Sequence, residues 1–311
     1  MSKIGLIDVD SHSNVPNIAL MKLSAWHKAQ GDDVEWYDPF GGQYDKVYMS
    51  KVFTFTEDYA YPIHADEIEK GGTGYDIIKK LPDEIDKIFY PDYSIYPKVP
   101  KDTAYGFLTR GCIRKCKWCV VNEKEGFIHP YADIEEVCRE RKKAVLFDNN
   151  VVGCDYGLEQ IEKIIKLGIS VDFNQAMDAR LVTPEIAQML ANVKWLNYIR
   201  FGCDTSAQIE PCERAIDLLR KYGYNGWIDL YTMLHSTIDE CYNRVSYWKQ
   251  PKFKKVCCQS QPMLDLYSKT QNIPQWQKDM ARWSNRKHIF LVTDFKDYKC
   301  RNGVYGRDYF K

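Results

Sequence analysis

The chain has 311 residues, 45% of them hydrophobic and 28% charged, with 43 Lys and Arg balancing 43 Asp and Glu. That length suffices for two modest domains, or for one barrel with an appendage. No apolar run approaches the ~20 residues that a membrane span needs, which excludes a membrane-spanning helix. The opening Met-Ser-Lys-Ile-Gly-Leu-Ile-Asp lacks the long apolar core of a signal peptide and reads as a strand. A cytoplasmic location is therefore expected, with the eleven cysteines kept as thiols.

Residues 1–98 alternate strand and helix signals. Ile4–Asp8 is a short apolar strand, and Pro16–Gln30 carries Ile18, Met21, Leu23 and Trp26 on one helical face before Gly31 stops it. Strands follow at 34–37 and 46–49. The Gly71-Gly72-Thr73-Gly74 turn and the Pro-rich stretch from Tyr90 to Pro100 predict a linker. This part is expected to be a small doubly wound α/β unit.

From Ala104 onward six strand–helix repeats are predicted. The strands are 104–109, 143–148, 170–175, 197–203, 227–234 and 254–260. The helices are 132–142, 157–167, 184–192, 207–222, 237–249 and 273–285. Alternating βα units imply a parallel sheet with helical crossovers. No tandem repeat or low-complexity tract interrupts the pattern.

The most specific local signal is Gly111-Cys-Ile-Arg-Lys-Cys-Lys-Trp-Cys119, a C-x3-C-x2-C spacing with Trp118 before the last cysteine. It follows directly on the first of the six strands. Three thiolates can hold three corners of a [4Fe–4S] cluster and leave the fourth iron open to a non-protein ligand. A zinc site would need a fourth ligand; no second cysteine pair lies nearby, and His129 is the only close histidine. The other cysteines, Cys138, Cys154, Cys203, Cys212, Cys241, Cys257, Cys258 and Cys300, form no C-x2-C pair and are expected to pack as small hydrophobes.

Cys112, Cys116 and Cys119 with Trp118 resemble the signature of the radical S-adenosylmethionine (SAM) superfamily. The flanking Tyr96-Pro97, Phe107–Gly111 and Val120–Gly126 resemble its branch with a cobalamin-binding-like N-terminal domain, near the methylthiotransferase-like proteins. The resemblance implies an α/β chain with a partial (βα)6 barrel at 99–265. A small Rossmann-like, cobalamin-binding-like α/β domain at 1–98 precedes it, and a basic, aromatic C-terminal extension occupies 266–311. It implies that the three cysteines hold a [4Fe–4S] cluster and that SAM chelates the open iron. One electron, from a donor such as flavodoxin or ferredoxin, then cleaves SAM to methionine and a 5′-deoxyadenosyl radical that abstracts hydrogen from the substrate.

Family positions at the strand ends suggest further cofactor-binding residues. Trp118 would shape the adenine end. Asp148 and Asn149 would accept hydrogen bonds from the SAM ammonium, although the family's common Gly-Gly-Glu is absent here; an Asp/Asn turn capping a helix is the other reading. Gln175 and Asp178 would hold the ribose, and Arg180 the carboxylate, with Arg200 as a second carboxylate ligand or, equally, one half of a surface ion pair. Glu123, Lys124 and Glu125 lie close to the cysteine loop, facing substrate or forming a solvated turn. In the N-terminal part, Asp10-Ser-His12-Ser-Asn-Val15 is placed like the cobalamin motif Asp-x-His-x-x-Gly, with Ser50 and Gly71-Gly72 at loosely suitable distances; Val15 replaces the glycine. That puts bound cobalamin in doubt.

Zero net charge conceals an asymmetry. Residues 241–311 carry 15 Lys/Arg against 5 Asp/Glu, and residues 1–240 carry 28 against 38. Tyr247, Trp248, Phe253, Trp276, Trp283, Phe290 and Phe295 interleave with the basic run, the pattern of a surface that tracks phosphates and stacks bases. This suggests a nucleic-acid substrate engaged through 241–311. The competing reading docks the basic tail on the acidic body of the same chain. Two other functions fit the same residues: a cobalamin-assisted methylase of a small molecule or peptide, and a non-catalytic metal-cluster module that binds nucleic acid.

Overall fold

The computed structural model describes residues 1–10 and 15–310. The N-terminal part is built from β1 (Lys3–Asp8), α1 (Ile18–Ala29), β2 (Asp33–Trp36), β3 (Tyr44–Ser50), β4 (Ala65–Gly71) and a single helical turn, α2 (Asp83–Asp86). Its sheet is parallel throughout, in the order β2-β1-β3-β4. Asn17 caps α1 by accepting from the Leu20 N–H at 3.3 Å. Leu20, Met21 and Leu23 of that helix pack on Ile4, Leu6 and Tyr48.

β4 and the single turn α2 are the elements of this part that the sequence pattern did not suggest. The Ala-Asp-Glu-Ile-Glu-Lys-Gly of β4 is half charged because it is an edge strand. Glu67 and Glu69 are held by Lys46 of β3, at 2.8 Å each, so cross-strand ion pairs take the place of an apolar stripe.

The larger part begins with β5 (Thr103–Gly106), β6 (Thr109–Arg110), α3 (Val121–Lys124) and β7 (His129–Pro130). It continues through α4 (Ile134–Cys138), β8 (Lys143–Leu146), α5 (Asp155–Leu167), β9 (Ser170–Phe173), α6 (Pro184–Asn192), β10 (Lys194–Trp195), β11 (Ile199–Gly202) and α7 (Ile209–Lys221). It closes with β12 (Ile228–Leu234), α8 (Ile238–Tyr247), β13 (Val256–Pro262), α9 (Gln275–Ser284) and α10 (Lys287–Val292). Local capping sets several helix starts: an Asp133/Glu136 capping box on α4, Thr183 with Pro184 at the first position of α6, and Thr237 on α8.

Two parallel sheets result, β10-β9-β8-β5 and β11-β12-β13. They are joined by a one-residue parallel bridge, Met177 to Phe201, in which Met177 N–H donates to the Arg200 carbonyl at 2.9 Å and Gly202 N–H to the Met177 carbonyl at 3.1 Å. Across that bridge β5, β8, β9, β11, β12 and β13 run in parallel and in chain order. β13 lies at the open edge of its sheet, where Asn285 pairs with both backbone groups of Ser260, at 2.6 and 2.9 Å, as a side-chain substitute for a further strand.

One face of the strands is apolar and covered by helices. Period two places Asp172, Arg200 and Asp229 on the other. Arg200 is in register with Asp229 and paired to Asp172, and Lys287 of α10 reaches Asp229 at 3.2 Å. The interior of this part is thus crossed by a buried charge ladder.

Residues 266–311 share the core of the strands: Met280, Trp283, Phe290 and Phe295 sit in the same cluster as Leu230, Val256 and Cys258. This corrects the base-stacking expectation for the basic quarter. Trp248, Phe253, Trp283, Phe290 and Phe295 are all buried, so five of the seven offer no ring face, and Tyr247 and Trp276 are half-buried against that core. Some of the cations are engaged within the chain. Lys252 pairs with Glu213, Lys249 donates to the Phe290 and Thr293 carbonyls, and Lys287 pairs with Asp229. The tail docks on its own acidic body.

Candidate metal centre

The cysteine loop leaves the sheet after β5 and is tied off at its base. β6 and β7 pair antiparallel, Thr109 opposite Pro130 and Arg110 opposite His129, so residues 111–128 form a closed excursion. Gly111 turns the chain at φ +80°, and a Cβ there would lie 2.5 Å from the Phe127 carbonyl oxygen. Asn122 clamps the loop from inside, its Nδ2 donating to the carbonyls of Cys112 at 3.1 Å and Arg114 at 2.6 Å. Glu125 is the second anchor: its carboxylate accepts from Arg110 at 2.7 Å, Gly111 N–H at 3.0 Å and Asn149 Nδ2 at 2.7 Å. Of the three charged residues after the last cysteine, Glu125 is thus committed to holding the loop, while Glu123 lines the space beside it.

Cys112 and Cys116 are half-buried and Cys119 is exposed at the surface. Cys116 and Cys119 border a cavity of about 510 Å³ with Lys115, Asn122, Glu123 and Phe127. Burial first, then the charges of Cys119, Asp204 and Cys112, push the Cys116 thiol above its ordinary range. The Arg114 backbone N–H donates to Cys112 Sγ at 3.4 Å. Among the described residues no three His, Cys, Asp or Glu side chains converge into the sphere of one metal ion. A cubane makes no such demand, because each thiolate binds a separate iron. Three thiols on one anchored loop beside an open cavity fit that donor pattern.

The strand ends behave differently from one another. Asp148 is buried, and its oxygens accept from Leu108 N–H at 3.1 Å, Thr109 N–H at 2.6 Å and Thr109 Oγ1 at 2.7 Å. Burial, only partly offset by those bonds, raises it to about 6. It orders the chain entering the cysteine loop chiefly through Oδ1, while Oδ2 only shares the Leu108 N–H at 3.1 Å. Asn149 is tied through its amide to Glu125. Arg200 forms the ion pair of the other reading, but in the core and not at the surface: it is buried, bonded to Asp172 and to the Phe173 carbonyl at 2.9 Å, with Tyr198 beneath its guanidinium at 4.4 Å. It is a core ion pair and presents no free fork to a carboxylate.

Asp178, Arg180 and Gln175 remain near the loop end of the strands. Asp178 accepts from Arg114 Nε at 2.5 Å and Arg180 Nε at 2.7 Å. Burial raises its carboxyl, but the two guanidiniums outweigh that and hold it below its ordinary value. Arg114 lies between Cys112 and Cys116, so this ion pair straps the cysteine loop to the end of β9. Arg180 is exposed, and among the described residues its terminal nitrogens carry no partner; its charge also acts on Cys116. Gln175 is exposed. Trp118 stacks on His235 with ring centroids 4.5 Å apart and planes 25° from parallel.

His235 and Arg114 carry no role in the sequence pattern, and Asp204 and Asn150 enter it only as members of the polar turns after the fourth and second strands. His235 follows the end of β12 as Asp148 follows β8, and that shared position was the available signal. Its Nε2 donates to the Asp204 carbonyl at 2.8 Å. Asn150 Oδ1 accepts from Asp178 N–H at 3.0 Å and fixes the start of that turn. Seven of the eight remaining cysteines are buried, with burial pushing Cys138 and Cys257 up to about 12, as expected of inert packing thiols. In the N-terminal part His12 lies outside the described residues. Asp10 is engaged by Val52 N–H and by Thr56 Oγ1 at 2.5 Å, and Ser50 accepts from Asn17 Nδ2 at 2.8 Å.

No protein-family model matches the chain, and comparison with curated proteins finds no significant match. Among the described residues no helix is long and apolar enough to cross a membrane.

Proposed function

We propose that this chain is a radical SAM enzyme, acting in the reducing cytoplasm that an oxygen-sensitive cluster requires. The observation that carries the reading is the anchored C-x3-C-x2-C loop, which leaves the first of six parallel strands at the carboxyl end, where parallel α/β architectures bind ligands. On this reading the six strands are a partial (βα)6 barrel, and Cys112, Cys116 and Cys119 hold a [4Fe–4S] cluster. When bound, the cluster and SAM supply a 5′-deoxyadenosyl radical; the chain's own contribution is to bind, orient and shield.

Those tasks fall to particular residues. Glu125, Asn122 and the Arg114–Asp178 pair keep the loop in place. Arg180 is the better carboxylate ligand, because its guanidinium terminus is free while that of Arg200 is consumed by Asp172. Trp118 and His235 form a flat wall beside the last two cysteines.

Anaerobic reconstitution should load about four iron atoms per chain. The reduced protein should convert SAM to 5′-deoxyadenosine and methionine, and Cys116→Ala should abolish both iron retention and turnover. An intact [4Fe–4S] spectrum without SAM cleavage refutes the reading.

A further inference from the structure

Three segments far apart in sequence meet at the mouth of the cysteine cavity. Thr54, in the stretch after β3, donates its hydroxyl to the Leu266 carbonyl after β13 at 2.6 Å. Tyr267, next in that stretch, donates to Glu123 on the cavity wall. Lys124 of the cysteine loop donates to Thr73 after β4, and Gly74 N–H closes on the Lys51 carbonyl at 2.8 Å. The N-terminal part therefore reaches the cavity and forms one side of its rim.

That rim is apolar and aromatic where it meets solvent. Val52, Phe53, Phe55, Phe127, Met263 and Tyr267 are between 38% and 66% exposed. Phe53 and Phe55 lie face to face, centroids 5.3 Å apart and planes 24° from parallel. Single exposed hydrophobic residues need no explanation, but Phe127 on the cavity wall, Tyr267 on Glu123 and the stacked Phe53–Phe55 pair, on a segment bonded to Leu266, together mark a binding surface. The charges around it are of both signs. Lys115, Lys117 and Lys269 are exposed and have no carboxylate partner among the described residues. The nearby acids are Glu57, Glu123, which accepts from the Tyr267 hydroxyl, and Asp265, which accepts from Tyr267 N–H at 3.0 Å.

We infer that this rim binds single-stranded nucleic acid and feeds one unstacked nucleotide into the cysteine cavity. Aromatic faces take bases without regard to sequence, and unpaired lysines match phosphates. An apolar peptide would use the rings but leave the lysines without purpose, and a duplex would hide the bases. A cavity of about 510 Å³ is of the size that small-molecule sites occupy. What happens inside the cavity rests on the radical SAM reading; the binding itself does not.

The test is fluorescence anisotropy of a labelled oligouridine or oligothymidine, about twelve nucleotides long, with the metal-free full chain at about 50 mM salt. Binding is expected, weaker for duplex of equal length. Phe53→Leu with Phe55→Leu keeps apolar bulk but removes the ring faces, and should weaken binding at least ~10-fold with the melting temperature unchanged. Lys115→Gln and Lys269→Gln should each lower the slope of log affinity against log salt by about 0.7. Absent binding, equal binding of duplex, indifference to the double leucine variant, or capture of apolar peptides alone would each overturn the inference. SAM cleavage without substrate, measured in parallel, separates the two readings: cleavage without oligonucleotide binding sinks only this one, and binding without cleavage sinks only the enzyme reading.

Discussion

Replacing Glu125 should release the cysteine loop, and two replacements should do so by different amounts. Its carboxylate takes three hydrogen bonds, with Oε1 accepting from Arg110 and Oε2 shared by Gly111 N–H and Asn149 Nδ2. The side chain is 11% exposed and that of Arg110 22%, so screening by solvent is incomplete. Glu125→Gln can place its remaining oxygen at the doubly used site and loses chiefly the Arg110 pair, a cost of about 1–2 kcal/mol for a partly exposed charge-assisted bond. Glu125→Ala strands all three donors and should cost about 3–5 kcal/mol, the range for breaking a largely buried pair. Urea unfolding of the metal-free protein measures both. Tryptic cutting after Lys115 and Lys117 reports on the loop itself and should quicken at least ~10-fold in the alanine variant, through more frequent local opening. If Glu125→Ala loses less than about 0.5 kcal/mol and its loop is cut no faster, then Glu125 does not hold the loop, and the account of its anchoring is wrong.

Gly111→Ala should abolish iron loading while leaving the far-ultraviolet circular dichroism intact, because a Cβ at φ +80° would meet the Phe127 carbonyl; normal iron content would contradict the turn. Asp148 sets a pH signature. Its pKa is raised from 3.8 unfolded to about 6 folded, so the native state holds the proton more tightly, and stability falls as pH rises between those values. Between pH 4 and pH 7 the wild type should lose about 2 kcal/mol that Asp148→Asn does not lose, with denaturant titrations at the two pH values as the measure; parallel profiles would show that Asp148 does not titrate as inferred. Arg200→Leu should destabilise the chain by about 3–5 kcal/mol by leaving Asp172 buried with only Asn197. Its dissociation constant for SAM should stay within about twofold, whereas Arg180→Leu should weaken SAM binding at least ~10-fold without a stability loss of that size. The reverse pattern would return Arg200 to the ligand site.

Local order was legible in the residues themselves. The cysteine spacing lies within eight positions, and the helix starts at Asp133, Thr183 and Thr237 are set by side chains bonding backbone two or three residues on. Each of the six strand–helix repeats appears within a few residues of its expected bounds, since the alternation of apolar runs with helical periodicity is itself local. What the tertiary structure alone decided is which polar side chains are free to act. Asp148 finds its donors 39 and 40 residues away, Arg200 its carboxylate 28 away and Glu125 its amide 24 away. No spacing rule reaches that far, because such partners are set by which strands become neighbours. The basic aromatic quarter looked open to nucleic acid for the same reason: composition records rings and charges, but only packing determines that Trp248, Trp283 and Phe295 face the core while Phe53 and Phe55, in an unremarked loop, face the solvent.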